Sequence, residues 1–139
     1  MGANVLCPGS GSADFHLHQG QLRCEQVLIR DLVERFGSPI YVYSAATIRE
    51  RLHHLRSAFG DEARICYAVK ANSNLAVLRV FEKLGAGFDI VSGGELQRVI
   101  AAGAQPDRVV FSGVGKSIAD IDLALKLEIG CFNVESAQE

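Results

Sequence analysis

From residue 65 onward the chain repeats one unit, and the repeat sets what it can fold into. A short apolar run ends at a polar residue, a helix-period segment follows, and a glycine closes it. Residues 65–69 lead to Lys70, residues 88–91 to Ser92, residues 109–111 to Ser112, and residues 131–134 to Glu135-Ser136. The intervals from Lys70 to Ser92, Ser112 and Ser136 are 22, 20 and 24 residues. Strands alternating with helices at this spacing make a parallel sheet with right-handed crossovers. The runs are short and nearly all apolar, as expected of strands covered on both faces. Two architectures use the unit, an open doubly wound sheet and a closed (β/α)8 barrel. A complete barrel takes about 250 residues. With four such strands in 139 residues, and a last strand followed by a cap but no helix, the expectation is a chain cut in mid-domain.

Local signals fill in the elements. Residues 15–18 and 22–27 alternate around Gln19-Gly20, which predicts a hairpin within an otherwise irregular segment 1–28. Ile29, Leu32, Val33 and Phe36 share a helix face that Gly37 and Pro39 end. Residues 40–43 read as a short strand. Ser44 is the expected N-cap of a helix bearing Ile48, Leu52, Leu55 and Phe59, closed by Gly60. The three later helices are expected to bury Leu75, Leu78, Phe81 and Leu84, then Leu96, Val99 and Ile100, then Ile118, Ile121 and Leu125. Residues 92–95 and 136–139 both fit the capping-box spacing S-x-x-E.

Charge and cysteine usage narrow the function class. Net charge is −2, with 14 basic and 16 acidic residues interspersed, so no electrostatic footprint for nucleic acid is present. Cys7, Cys24, Cys66 and Cys131 show no C-x-x-C spacing, which argues against a zinc or redox motif. Cys66 and Cys131 lie in apolar runs and are expected to be buried, reduced thiols. No apolar run approaches a membrane span, and the N-terminus lacks the pattern of a secretory signal. Met1-Gly2 is followed by Leu6 where myristoylation needs Ser or Thr. The expected setting is cytoplasmic, with no membrane and no nucleic-acid partner.

Several motifs need weighing. Gly113-Val114-Gly115-Lys116-Ser117 resembles the end of a phosphate loop, but G-x-x-x-x-G-K-[ST] needs glycine where Val110 stands. Gly85-Ala86-Gly87 begins like G-x-G-x-x-G but precedes its strand and has Ile90 at the third position, so Gly85 reads as a helix C-cap. Gly93-Gly94 follows a strand and opens a helix. Anion binding by its N–H groups and a tight βα turn stand as equal readings. His16, His18, His53 and His54 read as surface residues, and no histidine–carboxylate spacing suggests a metal. Lys70 stands at the C-terminal end of the first repeated strand, where barrels and doubly wound sheets place their active sites. An amine there can attack a carbonyl if its surroundings lower its pKa, or it can simply extend into water from the strand end. Asp89 lies on the next strand.

Tyr67-Ala68-Val69-Lys70-Ala71-Asn72 resembles the pyridoxal-phosphate lysine motif of the fold-type III amino-acid decarboxylases. Three further runs are similar to the diaminopimelate decarboxylase branch of that family. They are Gly87-Phe88-Asp89-Ile90-Val91-Ser92-Gly93-Gly94-Glu95-Leu96, Phe111-Ser112-Gly113-Val114-Gly115-Lys116 and Phe132-Asn133-Val134-Glu135-Ser136. Ornithine and arginine decarboxylases usually depart from the Ser-Gly-Gly-Glu-Leu run. The resemblance covers about residues 15–139 in order.

The resemblance implies an α/β fold, the first part of an alanine racemase-like (β/α)8 TIM barrel. Residues 29–139 form its truncated first half. Residues 1–28 carry the hairpin that relatives pack into a separate β-domain. It implies pyridoxal 5'-phosphate as cofactor, bound covalently by Lys70 with Asp89 near it, while Ser92 and Glu95 serve mainly as caps. The implied reaction removes CO2 from the D-configured centre of meso-2,6-diaminopimelate to give L-lysine, the last step of lysine biosynthesis, in a homodimer acting on a small amino acid. Relatives place a ring-stacking histidine, a glycine-rich phosphate loop, a Glu-Pro-Gly-Arg motif, and a cysteine and tyrosine further along. The 139 residues alone are therefore expected to lack decarboxylase activity and to be aggregation-prone or only partly folded. The competing functions are a non-catalytic pyridoxal-phosphate-binding remnant and another fold-type III decarboxylase of ornithine or arginine type.

Overall fold

The computed structural model describes residues 14–60 and 62–138. The readings at Met1-Gly2, Leu6, Cys7 and Glu139 lie outside them. The chain divides into two compact units, residues 1–50 and 51–139.

In the first unit, β1 (Phe15–His18) and β2 (Gln21–Cys24) form the expected antiparallel hairpin. Its turn takes Gln19 and Gly20 into positive φ, 52° and 74°. The second alternating run is not one strand. Glu25 turns the chain at φ 52°, and a separate β3 (Val27–Leu28) pairs back on β2. The helix α1 (Ile29–Phe36) ends at Gly37, whose φ of 82° only glycine adopts cheaply. The Ser38-Pro39 peptide that follows is cis. The strand expected at residues 40–43 does not form. These residues join no ladder among the described residues, and Tyr41 is 89% exposed. An alternating pattern cannot supply the partner that a strand needs.

Ser44 caps α2 (Ala45–Phe59) as expected, its Oγ accepting from Thr47 N at 3.0 Å. Glu25 reinforces the cap from the hairpin turn. Its Oε1 accepts from Ser44 Oγ and Ala46 N, both at 2.8 Å. These donors hold the Glu25 carboxyl below its ordinary pKa, the Ala46 amide contributing most. Of the apolar face expected on α2, Leu52 is buried while Leu55 and Phe59 are exposed.

The second unit contains the repeat. Its strands β4 (Cys66–Ala68), β5 (Gly87–Ile90), β6 (Val109–Phe111) and β7 (Cys131–Phe132) form a parallel sheet in chain order. The helices α3 (Leu75–Lys83), α4 (Gly93–Ala101) and α5 (Ile118–Lys126) connect them. Register puts Phe88 beside Val109, Ile90 beside Phe111, and Phe111 beside Phe132. Because side chains alternate along a strand, these rows share one face. Phe88, Ile90, Val109 and Phe111 are fully buried there with Leu78, Leu96, Val99 and Ala124 from the helices. The opposite face carries Ala68, Asp89, Val110 and Cys131 in one row, half-buried to exposed. Only one face of this sheet is thus sealed among the described residues, and the expected burial of Cys131 does not hold.

The face of α5 also differs from expectation. Ile118 is 81% exposed and Leu125 59%, while Ala124 is buried and Leu123 and Leu127 pack on the core. The segment IADIDLALK is apolar around most of its circumference, so spacing alone selects no face. Its cap is Ser117, in a full capping box with Asp120, and not Ser112. No helix among the described residues is long and apolar enough to cross a membrane.

Candidate functional site at the C-terminal ends of the parallel strands

Lys70 is not on the strand that precedes it. β4 ends at Ala68, and one 3-10 turn (Val69–Ala71) lifts the lysine off the sheet. Val69 is fully buried and anchors the turn, while Lys70 is exposed. The backbone beyond is held from several sides. Tyr67 OH donates to Asn72 O at 3.3 Å, and the Tyr67 ring stacks on Phe81 with centroids 3.9 Å apart. Asn72 Oδ1 accepts from Asn74 N at 3.0 Å, Asn74 Oδ1 caps α3 at Ala76 N at 2.8 Å, and Arg98 Nη1 donates to Ser73 O at 3.3 Å. The hydrogen-bonded loop thus presents an exposed lysine.

Asp89 sits on β5, in register with Ala68 of β4, and the Lys70 turn lies beside that strand. Ser112 Oγ donates to Asp89 Oδ1 at 2.5 Å, and Asn133 Nδ2 donates to Ser112 Oγ at 3.0 Å. The sheet sets this row. Ser112 N bonds Ile90 O and Asn133 N bonds Phe111 O, extending each ladder one step beyond its strand. Residues 89, 112 and 133 recur at the repeat's own spacing, which was the available signal for Ser112 and Asn133 as site residues. The Asp89 charge reaches further down the face, to Cys66. Burial pushes that thiol's pKa up, Arg64 opposes it next, and Asp89 adds a smaller upward push.

The competing readings of the glycine loops separate here. Gly93 N donates to Asp120 Oδ1 at 3.1 Å, Glu95 N to Ser92 Oγ at 3.2 Å, and Val91 N to Glu95 Oε2 at 2.8 Å. The α4 start is closed by carboxylates and a hydroxyl, so the tight-turn reading prevails over anion binding. A Cβ on Gly93 would meet the Asp120 carboxylate and displace it from the α4 N-terminus. Ser92 caps as expected, but Glu95 reaches back to Val91 and not to Ser92, so the capping box is half formed. Lys116 is a latch, its Nζ donating to Gly113 O at 2.6 Å and Asn133 O at 2.8 Å. Gly85, at φ 71°, ends α3 as expected.

Pyridoxal 5'-phosphate needs a reachable primary amine and polar groups around its ring. The exposed Lys70 amine and the Asp89 carboxylate, held by Ser112 and Asn133, fit those needs. The α4 amides do not offer a phosphate cradle, since Asp120 already takes the first of them.

Residues 45–139 match the family described as pyridoxal-dependent decarboxylase, pyridoxal binding domain. The diaminopimelate decarboxylase of Vibrio cholerae is 57% identical over 121 residues, 86% of this chain and 29% of that protein. A diaminopimelate decarboxylase structure from M. jannaschii, in complex with L-lysine, superposes with a TM-score of 0.82 at 32% identity, covering 88% of this chain and 30% of that one. A lysine/ornithine decarboxylase of Vibrio vulnificus, complexed with putrescine, gives 0.73 at 29% identity over 79% of this chain and 30% of that one. The chain therefore spans about 30% of the length of the relatives it matches. The expected fold class, the first part of a fold-type III barrel, and the expected cofactor both stand. With the family matched over more than half its length, this chain belongs to the pyridoxal-dependent decarboxylases.

Proposed function

We propose that a protein carrying these residues removes CO2 from meso-2,6-diaminopimelate to give L-lysine. The observation that carries the reading is the placement of the four motifs. Lys70, Asp89, Ser112 and Asn133 all fall at the C-terminal ends of neighbouring parallel strands, where this class of sheet does its chemistry.

Lys70 is the residue assigned to hold pyridoxal 5'-phosphate covalently, and Asp89 the residue beside it. When bound, that group supplies the electron sink for the carbanion left by CO2. On its flexible stem Lys70 would reach the reacting atoms, and its Nζ would be able to hold or move a proton there. Asp89, held as an acceptor by Ser112, favours positive charge on nitrogen in its neighbourhood. Tyr67 and Arg98 hold the backbone that aims Lys70. The same proposal assigns the hairpin within residues 1–28 to a β-domain and residues 29–139 to the first half of the barrel, with a homodimer working in the cytoplasm.

The test uses protein expressed with whatever coding sequence follows the codon for Glu139. Lysine formation from diaminopimelate is expected, lost in Lys70→Ala, with borohydride fixing pyridoxal phosphate on Lys70. Turnover of ornithine without turnover of diaminopimelate would overturn the substrate assignment, and cofactor trapping without turnover of either would favour a binding remnant.

A further inference from the structure

The other end of the β4–β7 sheet carries a cavity of about 430 Å3 whose lining includes Arg56, Arg64, Arg108, Glu62, Gly85 and Gly87. It lies where the strands begin. Arg64 shortly precedes β4, Gly87 opens β5, and Arg108 immediately precedes β6. The pocket is separate in the fold from Lys70, and the proposed decarboxylation makes no use of it.

The arginines converge. A Cβ on Gly85 would lie 3.5 Å from Arg108 Nη1 and 3.6 Å from Arg56 Nη2. Those two nitrogens are therefore no more than about 7 Å apart. Neutral carbonyls orient two of the three forks. Arg108 Nη1 donates to Gly85 O at 3.3 Å and Arg64 Nη1 to Asp107 O at 3.4 Å. Among the described residues no ion pair neutralises Arg56, Arg64 or Arg108, and Glu62 is the acidic side chain in the lining. Among the described lining residues three guanidiniums face one carboxylate, an arrangement that favours a bound anion. Guanidinium forks match tetrahedral oxyanions through paired N–H donors better than point cations do. The volume lies within the range of about 300–1,000 Å3 typical of small-molecule sites.

We propose that Arg56, Arg64 and Arg108 form a site for a phosphate group at the strand-start end of this sheet. The phosphate can be inorganic or the headgroup of a small phosphomonoester, and the chemistry recognised is the same.

The test is thermal unfolding and calorimetric titration of the pyridoxal-phosphate-loaded protein used for the decarboxylation assay. Inorganic phosphate, glycerol phosphate, succinate and chloride are compared at one ionic strength. A saturable rise in Tm with either phosphate ligand is expected, and the tighter of the two identifies the source. Arg56→Gln and Arg108→Gln should each weaken binding at least tenfold, while Arg79→Gln on α3 leaves it unchanged. Arg56→Lys keeps the charge without the fork, and a severalfold loss is expected with an unaltered circular dichroism spectrum. Equal stabilisation by chloride or succinate, or phosphate binding indifferent to Arg56 and Arg108, would overturn the proposal. Neither result bears on Lys70.

Discussion

Replacing Tyr67 with phenylalanine removes the hydrogen bond from its OH to Asn72 O beside the candidate anchor while keeping the ring that stacks on Phe81. A neutral intramolecular hydrogen bond contributes about 0.5–1.5 kcal/mol net. At 3.3 Å this one is longer than the usual O–H···O distance of roughly 2.5–3.0 Å, so the lower half of that range applies. The expected loss is about 0.5–1 kcal/mol, a factor of roughly two to five in the equilibrium between held and released turn. Tyr67→Ala also removes the stack, worth about 0.5–1.5 kcal/mol beyond its buried area, and should cost at least twice as much. The assay pairs urea unfolding with the yield of borohydride-trapped pyridoxal phosphate on Lys70 at subsaturating cofactor. If the bond positions Lys70, trapping in Tyr67→Phe falls two- to fivefold while the unfolding midpoint shifts little. Unchanged trapping with a full-sized stability loss would show that Tyr67 supports the fold and not the lysine. Tyr67→Ala no worse than Tyr67→Phe would refute the assigned energetics altogether.

Gly87→Ala would press a Cβ to 2.7 Å from both Arg108 O and Cys66 Sγ. Since one contact is backbone, a destabilisation of about 1–3 kcal/mol is expected by denaturant unfolding, partly relieved in the Gly87→Ala, Cys66→Ala double variant. Glu25 is governed by pH. Its pKa is depressed below 4.5 by the Ala46 amide and Ser44 hydroxyl, so its contribution is complete above that value and disappears as pH falls through the folded value. Glu25→Gln should therefore cost about 1 kcal/mol at pH 7, after discounting for solvent screening. The difference should vanish near the acid end of a stability profile, and a constant difference across pH would contradict the assignment.

How much was legible can be judged from particular residues. The βαβ order, Gly37, Gly60 and Gly85 as helix ends, and Ser44 and Ser92 as caps follow from rules spanning a few residues, and they hold. Lys70 and Asp89 were visible because motif and repeat both point to strand ends. Ser112 and Asn133 recur at the same spacing and could have been found with them. Tyr67 could not, because its stack on Phe81 joins residues brought together by packing α3 onto the sheet.

By itself the sequence determined the order of elements, the parallel sheet they build and the end of that sheet that carries the lysine, because local periodicity and capping chemistry act over short spans. Tertiary structure alone decided the rest. Residues 40–43 have no ladder partner among the described residues, and α5 turns Ala124 inward while Ile118 and Leu125 stay exposed. The α4 amides are closed by Asp120, 27 residues away from Gly93, and three arginines converge on one cavity. Each of these depends on which distant groups the fold brings within a few ångströms, and the sequence holds no short-range record of that.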